Sequence, residues 1–435
     1  MTNSIYRVKP IKANGQKRVV AIPGSKSDTN RALVIAAFSN GRTTLTGISE
    51  SDDSKLLIKA LRQLGVGFEY LSKDSIRVQG LGGRFKPFYG EINCGIAGTT
   101  SRFLAAVCSL VPGNFILTGE KKMLERPMKD LFDALQALGV ELEYLGKVGH
   151  LPVRFNNREH LLKIQKTNQI SIRGDVSSQF FTALLLISPI LPYGLEISVV
   201  GNQVSKSYID MTQSILSDFG VQMINQNYTK YIVKPNQSYT PQEYQIEGDA
   251  SGCSYFWSIA AITGQEIEVT NIDPSTAQGD VGFVDILEKM GCKVSKDTSK
   301  KSIAVCGPRS LSDLRSVDVN MENMPDTAQS MAVVAAFAKG TTKITGLSTL
   351  KDKETNRLEA TKTELAKMGI VVEIGNDWMT IVGGEPGPAE IATYNDHRMA
   401  MSFAVAGTKI DGVIIQNPEV VSKSFPEFWD KIESL

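Results

Sequence analysis

One pattern recurs about six times along the chain: a polar, often glycine-bearing signature, an apolar helix of small residues, a break, then a β-branched strand. Few architectures accommodate such self-similarity, because each unit must bury its apolar face against neighbouring copies. The copies open at Gly24-Ser25-Lys26-Ser27, Gly95-Ile96-Ala97-Gly98-Thr99, Gly174-Asp175-Val176-Ser177-Ser178-Gln179, Gly248-Asp249-Ala250-Ser251, Met324-Pro325-Asp326-Thr327 and Asn395-Asp396-His397-Arg398, roughly 70 to 78 residues apart. A second helix also recurs and stops at Leu64-Gly65, Leu138-Gly139, Met290-Gly291 and Met368-Gly369, each followed by strand-like alternation. Six α/β units of this length fit two globular groups of three better than a solenoid, with the polar signatures facing one another. Converging helix N-termini carry unpaired N–H groups and partial positive charge, so they favour anions.

The 435 residues suggest two domains, and 42% apolar content suits a water-soluble globular protein. A net charge of +1 gives no global basic field, so neither nucleic acid nor a membrane surface is indicated, and any electropositive site must be local. Cys94, Cys108, Cys253, Cys292 and Cys306 form no CxxC pair, which fits reduced thiols in the cytoplasm. Three histidines, His150, His160 and His397, cannot build a His-rich metal site, and no metal is expected. Met1-Thr2-Asn3-Ser4-Ile5-Tyr6 has no leader pattern, so the chain reads as starting mature. The most apolar stretch, Phe180 to Pro192, is too short to cross a bilayer and reads as a buried helix.

Three motifs of the C-terminal half carry charge where helices begin: Asp326, then Lys353, Glu354 and Arg357, then His397 and Arg398. The spacing of Lys353 and Arg357 predicts two cations on one face of a first helical turn, where like charge and the macrodipole together disfavour them by up to roughly 1 kcal/mol. A bound anion supplies a reason for that arrangement. Bland readings are locally adequate as well: Asp326, Ser177, Ser178 and Asp396 as helix caps, Glu354 as a first-turn acid, His397 as a satisfied structural histidine. They leave unexplained why so many of these residues fall at equivalent points of the repeat. Near the N-terminus, Pro23-Gly24-Ser25-Lys26-Ser27-Asp28-Thr29-Asn30-Arg31 has the makings of a phosphate cradle, with glycine, hydroxyls and a lysine at a helix start and an arginine one turn in. Neither a Walker loop nor a dinucleotide-binding fingerprint occurs.

Taken in order, Pro-Gly-Ser-Lys-Ser-x-x-Asn-Arg-Ala-Leu from Pro23, Glu125-Arg126-Pro127-Met128, Gly-Asp-Val-Ser-Ser-Gln-Phe from Gly174, Pro-Asp-Thr-Ala-Gln from Pro325, Lys-Glu-Thr-x-Arg from Lys353 and Asn-Asp-His-Arg-Met-Ala-Met from Asn395 resemble the signatures of the 5-enolpyruvylshikimate-3-phosphate synthase family over nearly the whole chain. The resemblance implies two inverse α/β barrel-like domains, each of three βαβαββ repeats, with the active site in the cleft between them. Residues 1–22 and 246–435 would form a discontinuous domain on the phosphoenolpyruvate side, and residues 23–245 an inserted domain on the shikimate 3-phosphate side. It also implies carboxyvinyl transfer from phosphoenolpyruvate to the 5-hydroxyl of shikimate 3-phosphate, without metal or organic cofactor, by a cytoplasmic monomer that closes on its substrates.

By that resemblance Lys26, Ser27, Arg31, Ser177, Ser178, Gln179, Ser205 and Tyr208, with Asp326 and Lys353, hold shikimate 3-phosphate. Lys26, Gly98, Arg126, Gln179, Arg357, Arg398 and Lys423 contact phosphoenolpyruvate. Asp326 resembles the base for the 5-hydroxyl with Lys353 beside it, Glu354 the group that manages the methylene proton, and His397 its positioner, while Lys26 faces both substrates. The substrates bring about six negative charges near neutral pH, against seven cations at Lys26, Arg31, Arg126, Lys353, Arg357, Arg398 and Lys423. Two positions depart from the family pattern near the expected donor pocket: Ile96 stands where asparagine is usual, and Phe103 where proline commonly follows the arginine. The competing readings are a transferase acting on UDP-N-acetylglucosamine and a catalytically silent anion-binding repeat protein.

Overall fold

The computed structural model describes residues 4–12, 15–157 and 161–435, apart from the side chain of Ile164. His160 and Met1-Thr2-Asn3 therefore lie outside the described residues. The chain divides into two compact units, Met1–Gly24 with Glu247–Leu435, and Ser25–Ile246.

Within the Ser25–Ile246 unit one sheet pattern appears three times. Phe88–Asn93 runs parallel to Gly113–Thr118, which pairs antiparallel with Val153–Asn157, and Leu142–Tyr144 closes the outer edge. The order repeats in Gln169–Arg173, Leu195–Val200, Lys230–Val233 and Met223–Gln226. In the remaining sheet the parallel strand Glu243–Gln245 comes from the far end of the unit to lie against Arg42–Thr46, so the first repeat is completed by the last segment. The sheets surround three buried helices, Lys26–Phe38, Gly98–Ser109 and Ser178–Ile187, which pack on one another. Beyond their polar first turns these helices are apolar and buried nearly all round, as central helices must be, and each fully buried Phe or Leu contributes about 1.5–3 kcal/mol. Pro189, two residues past the end of Ser178–Ile187, stands in a 3₁₀ turn, Ser188–Ile190, because its ring cannot continue the α-helical ladder.

The other unit repeats the plan. Asp318–Asn320, Thr341–Thr345, Met379–Val382 and Val371–Ile374 form one sheet in the same order. The N-terminal segment completes the other two: Arg18–Ala21 lies parallel to Glu266–Thr270, and Ile5–Arg7 lies antiparallel to Ile414–Gln416. Three central helices, Ala250–Thr263, Ala328–Ala336 and His397–Gly407, are buried along their lengths. Small side chains bring them close enough for Ser330 Oγ to lie 3.3 Å from Ser254 Oγ and 3.2 Å from Ser402 Oγ, one hydroxyl from each helix. The six buried helices thus begin at the six recurrent signatures. Outer helices end at Gly65, Gly139, Gly291 and Gly369 with φ of +94°, +113°, +108° and +83°, left-handed values at which glycine carries no Cβ penalty.

Among the described residues no helix is long and apolar enough to cross a membrane.

Candidate active site

In the Met1–Gly24/Glu247–Leu435 unit the three C-terminal motifs converge on one carboxylate. Asp326 Oδ1 accepts from Arg357 Nη1 at 3.0 Å and lies 3.5 Å from Lys353 Nζ, while Oδ2 accepts from Arg398 Nη2 at 2.8 Å. Asp326 does not cap a helix: it lies in the 3₁₀ turn Pro325–Thr327, and the helix after it has no side-chain cap. Arg357 is almost fully buried and spends its fork on three acids. Its Nε and Nη2 donate to Asp396 at 2.8 and 3.3 Å, and Nη2 also donates to Glu354 Oε2 at 2.9 Å. Burial by itself lowers the Arg357 pKa, but the charges of Asp396, Glu354 and Asp326 outweigh it and hold the group above its ordinary value. Lys423, at the end of the Pro418–Lys423 turn, meets Glu354 Oε1 at 3.1 Å.

The structure corrects one expectation here. Lys353 and Arg357 do not share a helical face, because the helix begins at Arg357, after an Asn356 cap that accepts from the Glu359 N–H at 3.4 Å. Lys353 and Glu354 precede it, following the Ser348–Asp352 turn, so Glu354 is not a first-turn acid and no like-charge pair crowds that turn. Arg357 at the first helical position is compensated by carboxylates of its own protein. Asp396, by contrast, is a cap and more: Oδ1 accepts the Arg398 N–H at 2.9 Å while the same carboxylate holds Arg357. His397 is buried beside it, its Nδ1 3.6 Å from Asp396 Oδ1.

Behind Arg398 stands a second set of groups. Its Nη1 donates to Tyr255 Oη at 3.3 Å and its Nη2 to Ser251 Oγ at 3.4 Å, and the Ser251 hydroxyl in turn donates to the buried carboxyl of Asp280. Burial, reinforced by the charge of Asp326 and opposed by Arg398, pushes the Asp280 pKa up to about 7. Burial likewise pushes Tyr255 up to about 12, against the pull of Arg398.

The Ser25–Ile246 unit holds anion-directed groups of another kind. Gly98 opens its helix without a side-chain cap, and a Cβ there would come within 2.5 Å of guanidinium nitrogens of both Arg102 and Arg126. Arg102 Nη1 donates to Gln179 Oε1 at 3.0 Å, and Gln179 Nε2 to Thr99 Oγ1 at 3.2 Å, so Gly98, Arg126 and Gln179 do meet. Ser177 caps the following helix, accepting from the Gln179 N–H at 3.3 Å, and Ser178 is that helix's first residue. Lys26 pairs with the buried Asp53 at 3.1 Å, and the Asp53 carbonyl accepts from Thr100 in the Gly98 helix at 2.9 Å. Among the described residues Arg31 donates to neutral groups alone: Thr212 Oγ1 at 3.0 Å, the Ser27 carbonyl at 2.8 Å and the Tyr208 carbonyl at 3.0 Å. Burial lowers its pKa. Ser205 precedes the Lys206–Asp218 helix at φ 54°, ψ 49°, and Tyr208 lies in its first turn. Ile96 is half-buried just before Gly98, while Phe103 is buried under Arg31, whose guanidinium carbon lies 5.8 Å from the ring centre.

Sequence reasoning missed Arg102, Asp53, Asp280, Ser251 and Tyr255 as functional candidates, and gave Asp396 only as a cap. Gly248-Asp249-Ala250-Ser251 is itself one of the six signatures, which is signal enough to look for a site there. Among the described residues no group of three or more His, Cys, Asp or Glu is arranged to hold a metal ion.

Comparison with known proteins bears on this constellation. A family model described as EPSP synthase (3-phosphoshikimate 1-carboxyvinyltransferase) matches residues 11–432. The 3-phosphoshikimate 1-carboxyvinyltransferase of Aliivibrio fischeri (strain ATCC 700601 / ES114) is 42% identical, with 98% of each chain covered. That of Shewanella woodyi is 40% identical, with 97% of each covered. In fold, the EPSP synthase of Acinetobacter baumannii matches with a TM-score of 0.80 over all of this chain and 98% of its own, at 24% identity. With identity at this level from end to end, and a polar signature standing at the start of each of six repeated buried helices, the chain belongs to the EPSP synthase family.

Proposed function

We propose that this chain transfers the carboxyvinyl group of phosphoenolpyruvate to the 5-hydroxyl of shikimate 3-phosphate and releases phosphate, a step toward aromatic amino acids. Family membership supports the reaction, and the observation that carries the residue assignment is the grip of Arg357, Arg398 and Lys353 on Asp326. An arriving donor brings a phosphate and a carboxylate that compete for those arginines by bidentate pairing. As Arg357 and Arg398 turn to the donor, Asp326 is released to act as a base.

The 5-hydroxyl oxygen then bonds to C2 of the donor while Asp326 takes its proton, with Lys353 against the forming alkoxide. Glu354 delivers a proton to C3, which makes C2 electrophilic. Elimination breaks the C2–O bond to phosphate and returns a C3 proton to Glu354, restoring the vinyl group, while the proton held by Asp326 leaves with the phosphate. Lys423 and Arg357 hold Glu354 between them, and His397 acts through Asp396. Gly98, Arg126, Gln179 and Lys26 complete donor capture. Ser27, Arg31, Ser177, Ser178, Gln179, Ser205 and Tyr208, with Lys26, hold the acceptor. Lys26 touches both substrates. In this reading residues 23–245 carry the acceptor side, residues 1–22 and 246–435 carry the base, one copy of the chain suffices, and the five free thiols fit a cytoplasmic setting.

The test is phosphate release from phosphoenolpyruvate with and without shikimate 3-phosphate, in the presence of EDTA. Acceptor-dependent release is expected. No release while acceptor still binds would sink the assignment.

A further inference from the structure

Asp280 is a buried carboxyl group that the reaction as described never uses. It lies in the short turn Gly279–Gly282, 6% exposed, with Oδ1 meeting no hydrogen-bond partner among the described residues. A buried carboxyl that is only half satisfied costs free energy, so its presence beside Asp326 and Asp249 calls for a compensating role. Its hydrogen-bonded contact is the hydroxyl of Ser251, the second residue of the Ala250–Thr263 helix.

A serine hydroxyl has one proton and two lone pairs. With its proton committed to Asp280, Ser251 Oγ faces Arg398 Nη2 as an acceptor. Arg398 is otherwise held by Tyr255 and Asp326. Without Asp280 the hydroxyl is free to rotate and donate elsewhere, and the guanidinium loses Ser251 as an oriented acceptor. We propose that Asp280 is a positioning residue for donor capture: it orients Ser251 as an acceptor that, with Tyr255, keeps the Arg398 guanidinium in place when the donor's carboxylate or phosphate takes over from Asp326. The inference rests on the reading of Arg398 as a donor contact. Burial, aided by the Asp326 charge, keeps the Asp280 carboxyl partly protonated near neutral pH, so its effect on Arg398 comes through the serine more than through charge.

The test is steady-state kinetics of Asp280→Ala, Asp280→Asn, Ser251→Ala and the Asp280→Ala/Ser251→Ala double variant, with Arg398→Ala alongside. Asp280→Ala is expected to raise KM for phosphoenolpyruvate about tenfold, leaving kcat and KM for shikimate 3-phosphate within about twofold. Asp280→Asn should recover most of the loss, since its amide oxygen still accepts from Ser251. The double variant should be no worse than the worse single one, because both act through one line of contacts. An unchanged donor KM in Asp280→Ala, equal losses in all three constants, or additive effects in the double variant overturns the inference. If Asp280→Ala does not fold, Ser251→Ala decides on the same donor KM. A raised donor KM in Arg398→Ala with none in Asp280→Ala removes the inference and leaves the reading of Arg398 standing, whereas an unchanged donor KM in Arg398→Ala removes both.

Discussion

Arg357 and Arg31 are both almost fully buried arginines near the start of a helix, one in each unit, and they are satisfied in opposite ways. Arg357 is surrounded by Asp326, Glu354 and Asp396, whereas Arg31 donates to a threonine hydroxyl and two backbone carbonyls. The same contrast runs through the units. Helix starts in the Met1–Gly24/Glu247–Leu435 unit carry acids interlocked with cations, suited to moving protons. Those of the Ser25–Ile246 unit carry mostly hydroxyls, an amide and glycine beside arginines, with one acid–cation pair at Lys26 and Asp53, an arrangement suited to holding anions. One repeated scaffold therefore serves two kinds of chemistry, decided by what stands at the helix start.

The largest expected effect follows from that contrast. Arg357→Ala takes a cation from three acids, of which Asp396 is fully buried, and should lower stability by about 3–5 kcal/mol. Arg31→Ala leaves three neutral acceptors and the nearby charge of Asp28, and should cost about 1–3 kcal/mol. Urea unfolding of the two variants measures the difference, and equal losses would break the distinction. Next come Asp326→Asn and Glu354→Gln, expected to reduce kcat by about 10² or more while both substrates still bind. Isothermal calorimetry beside turnover checks this, and unchanged turnover rejects the assigned roles. Gly98→Ala should then raise KM for phosphoenolpyruvate by about tenfold, or about 1.4 kcal/mol, because its methyl displaces the Arg102 and Arg126 guanidinium groups. An unaltered donor KM would mean that those arginines do not serve the donor.

The smallest effect is one of pH. The Asp280 carboxyl titrates near about 4 in an unfolded chain and at about 7 in the fold. The folded state holds the proton more tightly, so stabilisation present below the unfolded value is lost as pH rises through the folded one. Asp280→Asn does not ionise, and its Tm should fall less between about pH 5 and about pH 8 than that of the parent, by a few degrees. Parallel Tm profiles would argue that Asp280 is not protonated in the fold.

Much of the architecture is legible in the amino-acid sequence. The six signatures coincide with the starts of the six buried helices, and Leu-Gly or Met-Gly does mark where outer helices stop, because backbone geometry at a helix end is a local property. The Lys353-to-Arg357 spacing misleads, since Asn356 caps the helix three residues later than charge spacing alone suggests. The link from Asp280 through Ser251 to Arg398 is invisible in the sequence, as it joins three elements up to 147 residues apart.

By itself the sequence determined the repeat, the helix starts and the family, because each is written in periodicity and short motifs that act within a few residues. Only the tertiary structure decided that Asp326 is a clamped carboxylate and not a cap, and that Asp396 is a cap and a counter-ion together. Those roles depend on which charges burial forces into contact. Pairing inside a low-dielectric core is set by how distant repeats pack, not by the residues that flank each acid.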